Sequence, residues 1–151
     1  ARFEPINWGL FRFVADEDFD AGGLVLGAEK ARRNGSGFLL KRLPGDDFAI
    51  GFWNSAADFL EWNDQPVKPG RYDVELLYGC GNAKPNAFVF ECGGQTLRGT
   101  AVNTGGWDQY ATLRLGALDL REPSASFVLR AVTADGGLMD FKTLRLIHQG
   151  K

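Results

Sequence analysis

Apolar and polar residues alternate along much of this chain with a period of two. The cleanest run is residues 71–80: Tyr72, Val74, Leu76, Tyr78 and Cys80 share one face, while Arg71, Asp73 and Glu75 take the other. That period belongs to a half-buried strand. The same pattern predicts a strand over residues 87–92, with Phe88, Phe90 and Cys92 on one face. A hairpin turn at Gly93-Gly94 and a return strand over residues 95–102 follow it. Further strands are predicted over residues 8–14, 24–26, 38–43, 48–53, 58–62, 126–130 and 138–147. Another runs over residues 110–115 and, after a break at Gly116, continues through residues 117–120. In the 58–62 strand, Leu60 and Trp62 face the core, and Phe59 and Glu61 do not. Residues 16–20 form an acidic loop, and residues 27–35 read as a short helical turn stopped by Gly35-Ser36-Gly37. No segment sustains a helical period over three turns. Short strands spaced roughly 8–12 residues apart predict an all-β protein, an antiparallel sandwich or barrel. With no linker and no internal repeat, residues 1–151 read as a single domain.

Composition supports this picture and removes some partners. The length of 151 residues suits one domain with a substantial core. Twenty glycines and twelve phenylalanines fit a β-protein with many turns. A net charge of −2 provides no basic field for a phosphate backbone, so nucleic acid is not an expected partner. No apolar run approaches membrane-spanning length, so no membrane is expected either. The opening Ala1-Arg-Phe-Glu4 lacks a charged start followed by an apolar stretch, which suggests a processed protein or a domain cut from a longer one. Cys80 and Cys92 are both expected to point inward on neighbouring strands. They fit one disulfide or two free core thiols, and a bridge would imply an oxidising compartment.

The stretch Asn103-Thr-Gly-Gly-Trp-Asp-Gln-Tyr110 carries the candidate chemistry. Two glycines let the backbone bend, and Trp107 is expected on that bend instead of in a strand. A Trp so placed either plugs the open end of a core or offers a flat apolar face to a ligand. A sugar has one apolar face of C–H groups that an indole covers, and Asn103, Asp108 and Gln109 would supply polar contacts to its hydroxyls. Trp53 ends its strand against a turn and is expected to be exposed, with Asn54 beside it. Catalytic readings find little material. His148 is the sole histidine and sits near the C-terminal end, Asp46-Asp47 falls on a turn, and no zinc-ligand spacing occurs. The glycines at 79–81 and 93–94 open no helix that could cradle a phosphate. The chain is therefore not expected to be an enzyme.

Several segments resemble those of one family in order and spacing. They are Leu26-Gly-Ala-Glu-Lys-Ala31, Ile50-Gly-Phe-Trp53, Asp58-Phe-Leu-Glu-Trp62, residues 67–75, Thr104-Gly-Gly-Trp-Asp108 and residues 137–146. Over about residues 24–148 the chain resembles the galactose-binding-like jelly rolls, most of all those near the family 6 carbohydrate-binding modules. It is also similar to accessory domains that stand beside secreted sulfatases and α-L-fucosidases. The resemblance implies an antiparallel jelly-roll β-sandwich, secreted or periplasmic, with a sugar cleft built from loops at one edge. Trp107 matches one clamping aromatic, and Phe52 or Trp53 the other. The family's polar anchor, an asparagine just before the closing acidic residue, is replaced here by Leu138 and Met139. The resemblance also implies a structural calcium ion held by Glu29 and Asp140, the alternative being an ion pair with a neighbour such as Lys142. The expected function is that of a non-catalytic carbohydrate-binding module, taking an oligosaccharide or polysaccharide at Trp107, Trp53, Phe52, Asn54, Asp108 and Asn103. The alternative is a structural accessory domain packed on an adjoining hydrolase domain, with no sugar binding.

Overall fold

The computed structural model describes residues 23–149. The strand expected over residues 8–14 and the acidic loop at 16–20 lie outside the described residues. The described residues form two antiparallel sheets. The strands are β1 (Leu24–Gly27), β2 (Arg32–Asn34), β3 (Leu39–Leu43), β4 (Asp47–Gly51), β5 (Phe59–Pro66), β6 (Gly70–Cys80), β7 (Asn86–Cys92), β8 (Gln95–Ala101), β9 (Gly106–Leu120), β10 (Ser124–Ala131) and β11 (Asp140–His148). One sheet has the order β3-β4-β11-β6-β9, with β1 also paired to β11; the other has the order β2-β5-β10-β7-β8. The β-sandwich expected from the sequence is the fold observed.

The core is made by the faces that alternation assigns to it. Tyr72, Val74, Leu76 and Tyr78 on β6 are buried, as are Leu60 and Trp62 on β5 and Phe88 and Phe90 on β7. Phe90 stacks on Phe127 of β10 with centroids 5.7 Å apart, and Trp62 meets Phe141 of β11 across the two sheets at 5.6 Å. The buried indole of Trp62 donates to the carbonyl of Gly27 at 3.0 Å, which satisfies its N–H and ties one sheet to the other.

Three expectations are corrected. Residues 27–35 hold only a single 3-10 turn, Ala28–Lys30, before β2 begins. Pairing with β5 decides this: Arg32 stands opposite Glu61, with an ion pair at 3.5 Å, and Asn34 donates to Glu61 at 3.2 Å. Cys80 and Cys92 point inward, but β6 and β7 lie in different sheets; both thiols are free and buried, and burial pushes the Cys92 thiol up. The third correction concerns β9, a single strand from Gly106 to Leu120 that takes in both Trp107 and Gly116.

Four connections that cross from one sheet to the other lie at one end of the sandwich. Residues 52–58, 81–85, 102–105 and 132–139 join β4 to β5, β6 to β7, β8 to β9 and β10 to β11. Exposed apolar bulk gathers at this end. Leu39, Phe52, Val102, Trp107 and Val132 all lie there, whereas Val25 is the one exposed large hydrophobic placed elsewhere among the described residues.

Candidate functional site

A break in register sets Trp107 at this end. Cys80 pairs with Gly106, but Gly79, one residue back on β6, pairs with Tyr110 on β9. Trp107, Asp108 and Gln109 are therefore left over and bulge out of the ladder. Thr104 fastens the bulge to the end of β6. Its N–H donates to the Cys80 carbonyl at 2.8 Å, and its hydroxyl oxygen accepts the Cys80 N–H at 2.9 Å. The bend expected at Trp107 thus exists as a bulge inside a strand.

The indole lies across two glycines. A Cβ on Gly81 would fall 2.7 Å from Cδ1 and Nε1 of Trp107, and one on Gly137 would fall 2.8 Å from Cη2. Both contacts are shorter than any real carbon pair allows, so these backbones must be bare for the ring to rest on them. Trp107 stays 38% exposed, so it is neither a core plug nor a free side chain.

Phe52 lies at the same end, 58% exposed and held at φ 61°. A left-handed residue with a Cβ costs about 1–2 kcal/mol, so this exposed ring is kept in place against local preference. The turn at Phe52 sends the next side chain inward. Trp53, expected to be exposed, is 1% exposed and packs edge-on against Phe38 with centroids 5.3 Å apart. Its carbonyl accepts the Leu138 N–H at 2.8 Å. Trp53 is the floor of the site and Phe52 its second exposed aromatic.

Phe52, Trp53, Asn54 and Trp107 line one cleft of about 290 Å³ together with Lys41, Gly137 and Asp140. Four of the six residues expected to touch a ligand are thus brought together. Asn103 is not among them, because its carboxamide oxygen accepts the Gly105 N–H at 2.6 Å and serves the turn. Asp108 sits exposed on the same bulge and acts on the cleft through its charge. Leu138 and Met139 are fully buried and present no polar group to the cleft.

Residues that the sequence reading did not single out hold the far wall. Asn86, buried at the start of β7, donates to the carbonyls of Asp135 and Gly137 at 3.0 and 3.1 Å and accepts the Asp135 N–H at 3.1 Å. Asn82 donates to the same two carbonyls at 2.7 and 3.0 Å. A signal for Asn86 was present: it continues the face of Phe88, Phe90 and Cys92, where a polar residue must find buried partners.

Asp140 is buried and ion-paired with the Lys41 ammonium. Burial pushes its carboxyl above the ordinary range; Lys41 opposes the shift and the charge of Asp108 adds to it. Tyr110 is pushed up to about 12 by burial and by Asp140, Asp47 and Asp108. Lys142 lies 4.2 Å over the Tyr110 ring and pairs with Asp47 at 2.6 Å, which holds that carboxyl low. These residues do not fit the expected calcium ion. Glu29 is exposed and folds back over Gly27, Asp140 already carries a cation, and no group of three or more His, Cys, Asp or Glu is placed to hold a metal among the described residues.

Asp58, in the connection that carries Phe52, is also buried, and one of its carboxylate oxygens has no partner among the described residues. Burial raises its pKa. A carboxyl whose folded pKa is raised stabilises the fold below its unfolded pKa, and that contribution is lost as pH rises through the folded pKa. Asp58→Asn should therefore be more stable than wild type at neutral pH, with the gap closing on acidification. Urea unfolding across pH checks this, and an Asn variant that is less stable at neutral pH would contradict it.

A larger cavity of about 670 Å³ opens at the opposite end, lined by residues such as Cys92, Gln95, Asp119, Arg121 and Glu122. Size does not make it the better candidate. No aromatic lines it among the described residues, and Gln95 spends its carboxamide on the Asp119 backbone at 2.7 and 2.9 Å.

No protein-family model matches this sequence, and no curated protein matches it. Solved structures do. The C-terminal CBM6 of a marine laminarinase from Zobellia galactanivorans superposes with a TM-score of 0.69 at 17% identity, covering 83% of this chain and 98% of that one. A family 35 carbohydrate-binding module from Clostridium thermocellum gives 0.68 at 18% identity, covering 83% and 98%. An exo-β-1,3-galactanase from Phanerochaete chrysosporium gives 0.67 at 18% identity, with 83% of this chain covered but 29% of the enzyme. No helix among the described residues is long and apolar enough to cross a membrane. The fold of this chain is an antiparallel two-sheet β-sandwich, the fold of the family 6 and family 35 carbohydrate-binding modules on which it superposes.

Proposed function

We propose that the chain is a non-catalytic carbohydrate-binding module whose site is the cleft between Trp107 and Phe52. The observation that carries this reading is a pair of exposed aromatic rings lining one cleft of about 290 Å³, on a fold shared with carbohydrate-binding modules. The size is near the lower limit of ligand pockets, which suits a sugar residue and not a deeply enclosed chain. The rings cover apolar sugar faces, and Asn54 offers an amide to a hydroxyl. The one carboxylate lining the cleft among the described residues, Asp140, is neutralised by Lys41, whereas glycoside cleavage uses two carboxyl groups across the scissile bond. Such a module meets its polymer outside the cytoplasm, so the same reading makes the chain a secreted or periplasmic domain. An adjoining hydrolase domain is the natural partner, since the matched galactanase carries this fold in less than a third of its length.

The test is a fluorescence and calorimetric titration with a panel of oligosaccharides. Trp107→Ala should weaken binding by about 2 kcal/mol, roughly thirtyfold, while costing about 1 kcal/mol of stability because the ring is partly exposed. Gly81→Ala should weaken binding comparably with Trp107 still present, because the new methyl occupies the indole's seat. Undiminished binding in both variants would place the sugar elsewhere. No binding by wild type would favour the structural accessory domain.

A further inference from the structure

The sugar reading leaves the cleft without the polar anchor expected before β11, since Leu138 and Met139 are buried. Lys41 and Asp140 line the cleft beside the aromatic walls. We propose that this ion pair is the hydroxyl-recognition element of the cleft, and that it selects a neutral sugar residue with two free hydroxyls on adjacent carbons. The proposal rests on the carbohydrate reading above.

The pair is built from distant parts of the chain. Lys41 stands on β3 opposite Ala49, and Asp140 opens β11 opposite Gly79. They meet over the end of β4, the strand between them, and Gly51 makes the meeting possible. A Cβ there would lie 3.0 Å from Asp140 Oδ1, 3.0 Å from Lys41 Cε and 3.1 Å from Lys41 Nζ. The charged groups therefore rest on bare backbone, and no side chain comes between them and the cleft at that point.

The chemistry of the pair matches a diol. Asp140 Oδ2 takes the Lys41 ammonium, while Oδ1 has no hydrogen-bond partner among the described residues. An ammonium has three donors, so Lys41 keeps two for other acceptors. One sugar hydroxyl can then donate to Asp140 Oδ1 while the oxygen of its neighbour accepts from Lys41. Both bonds involve an ionised partner, the stronger class. A single hydroxyl would satisfy one half of the pair only.

The same pair argues against an acidic sugar. The Lys41 charge is already balanced by Asp140, and Asp108 is close enough to act on Asp140 electrostatically. A uronate or sulfate entering the cleft would meet the Asp140 carboxylate, with the Asp108 charge acting on the same place, and no unpaired cation from this group.

The experiment titrates laminaritriose, β-1,3-galactotriose, β-1,4-mannotriose and digalacturonic acid into wild type, Trp107→Ala, Lys41→Met, Asp140→Asn and Gly51→Ala, with urea unfolding of each protein. Wild type should bind at least one neutral sugar about tenfold or more tightly than digalacturonic acid. Lys41→Met and Gly51→Ala should each lose about tenfold for that neutral sugar. Asp140→Asn should lose neutral binding and gain digalacturonic acid binding, because it uncovers the Lys41 charge; a merely structural pair would not move this preference. If Asp140→Asn does not fold, Lys41→Met and Gly51→Ala decide the matter. Neutral binding lost in Trp107→Ala but unchanged in Lys41→Met and Gly51→Ala overturns the proposal and leaves the carbohydrate reading intact. A wild-type preference for digalacturonic acid overturns the choice of a neutral ligand. Absence of binding to all four sugars removes the carbohydrate reading and this proposal with it.

Discussion

Trp53→Ala is expected to cost about 3–5 kcal/mol of folding stability, a large share of what a domain of this size possesses. Trp53 is 1% exposed, so its removal opens a void that the rigid strand ends around it cannot close. It also loses the edge-on contact with Phe38 at 5.3 Å. One feature moderates the loss: the buried indole N–H has no partner among the described residues, so an unmet donor goes with the ring. Trp53→Phe removes that donor and keeps most of the ring, and should cost much less than alanine. Urea unfolding with a common slope checks both variants. Trp107→Ala supplies the contrast, with a small change in stability and a large loss of ligand. If Trp53→Ala instead left stability intact and abolished binding, Trp53 would be a ligand-contacting residue, as its place beside a turn suggested.

The difference between Trp53 and Trp62 shows which features were legible in the sequence. Trp62 falls on a strand whose neighbours alternate cleanly, and its burial follows from period alone. The direction of Trp53 depends on one backbone angle, the left-handed φ of Phe52, which no alternation encodes. The strands and inward faces of β6 and β7 were readable for the same reason as Trp62. Their assignment to separate sheets was not, because a five-residue connection serves equally for a wide hairpin or a crossover between sheets. β2 was missed because Arg32, Arg33 and Asn34 have no apolar pattern; pairing with Glu61 and its neighbours creates the strand.

The site was legible in part. Phe52, Trp53 and Asn54 are consecutive, and the resemblance set Trp107 beside them; the structure gathers all four in one cleft. Lys41 and Asp140 are 99 residues apart, and nothing local links them. Asp140 was assigned to calcium through the resemblance, and only the approach of β3 and β11 over Gly51 reveals its partner. Each aromatic sits in a motif that the resemblance could place, whereas the polar pair beside them is a product of tertiary structure alone.

Asn86→Ala should have the next largest effect, and it should reach the ligand through residues that Asn86 does not touch. The side chain is 2% exposed and makes three hydrogen bonds to the 132–139 connection. At about 1 kcal/mol each, their loss amounts to about 3 kcal/mol. Asn82 bonds the same two carbonyls from a more exposed position, so Asn82→Ala should cost about 1 kcal/mol and leave the connection in place. The consequence for function runs through Gly137, whose backbone supports the benzene edge of the Trp107 indole. When Asn86 no longer holds the Gly137 carbonyl, the indole loses one of its two supports and the cleft loses its shape. Asn86→Ala should therefore weaken sugar binding about tenfold even under conditions in which the variant is fully folded, whereas Asn82→Ala should bind nearly as wild type. Combining Asn86→Ala with Trp107→Ala gives the decisive comparison. If Asn86 acts by seating the indole, the double variant should bind no more weakly than Trp107→Ala alone. A full additional tenfold loss in the double variant would mean that the 132–139 connection touches the ligand directly.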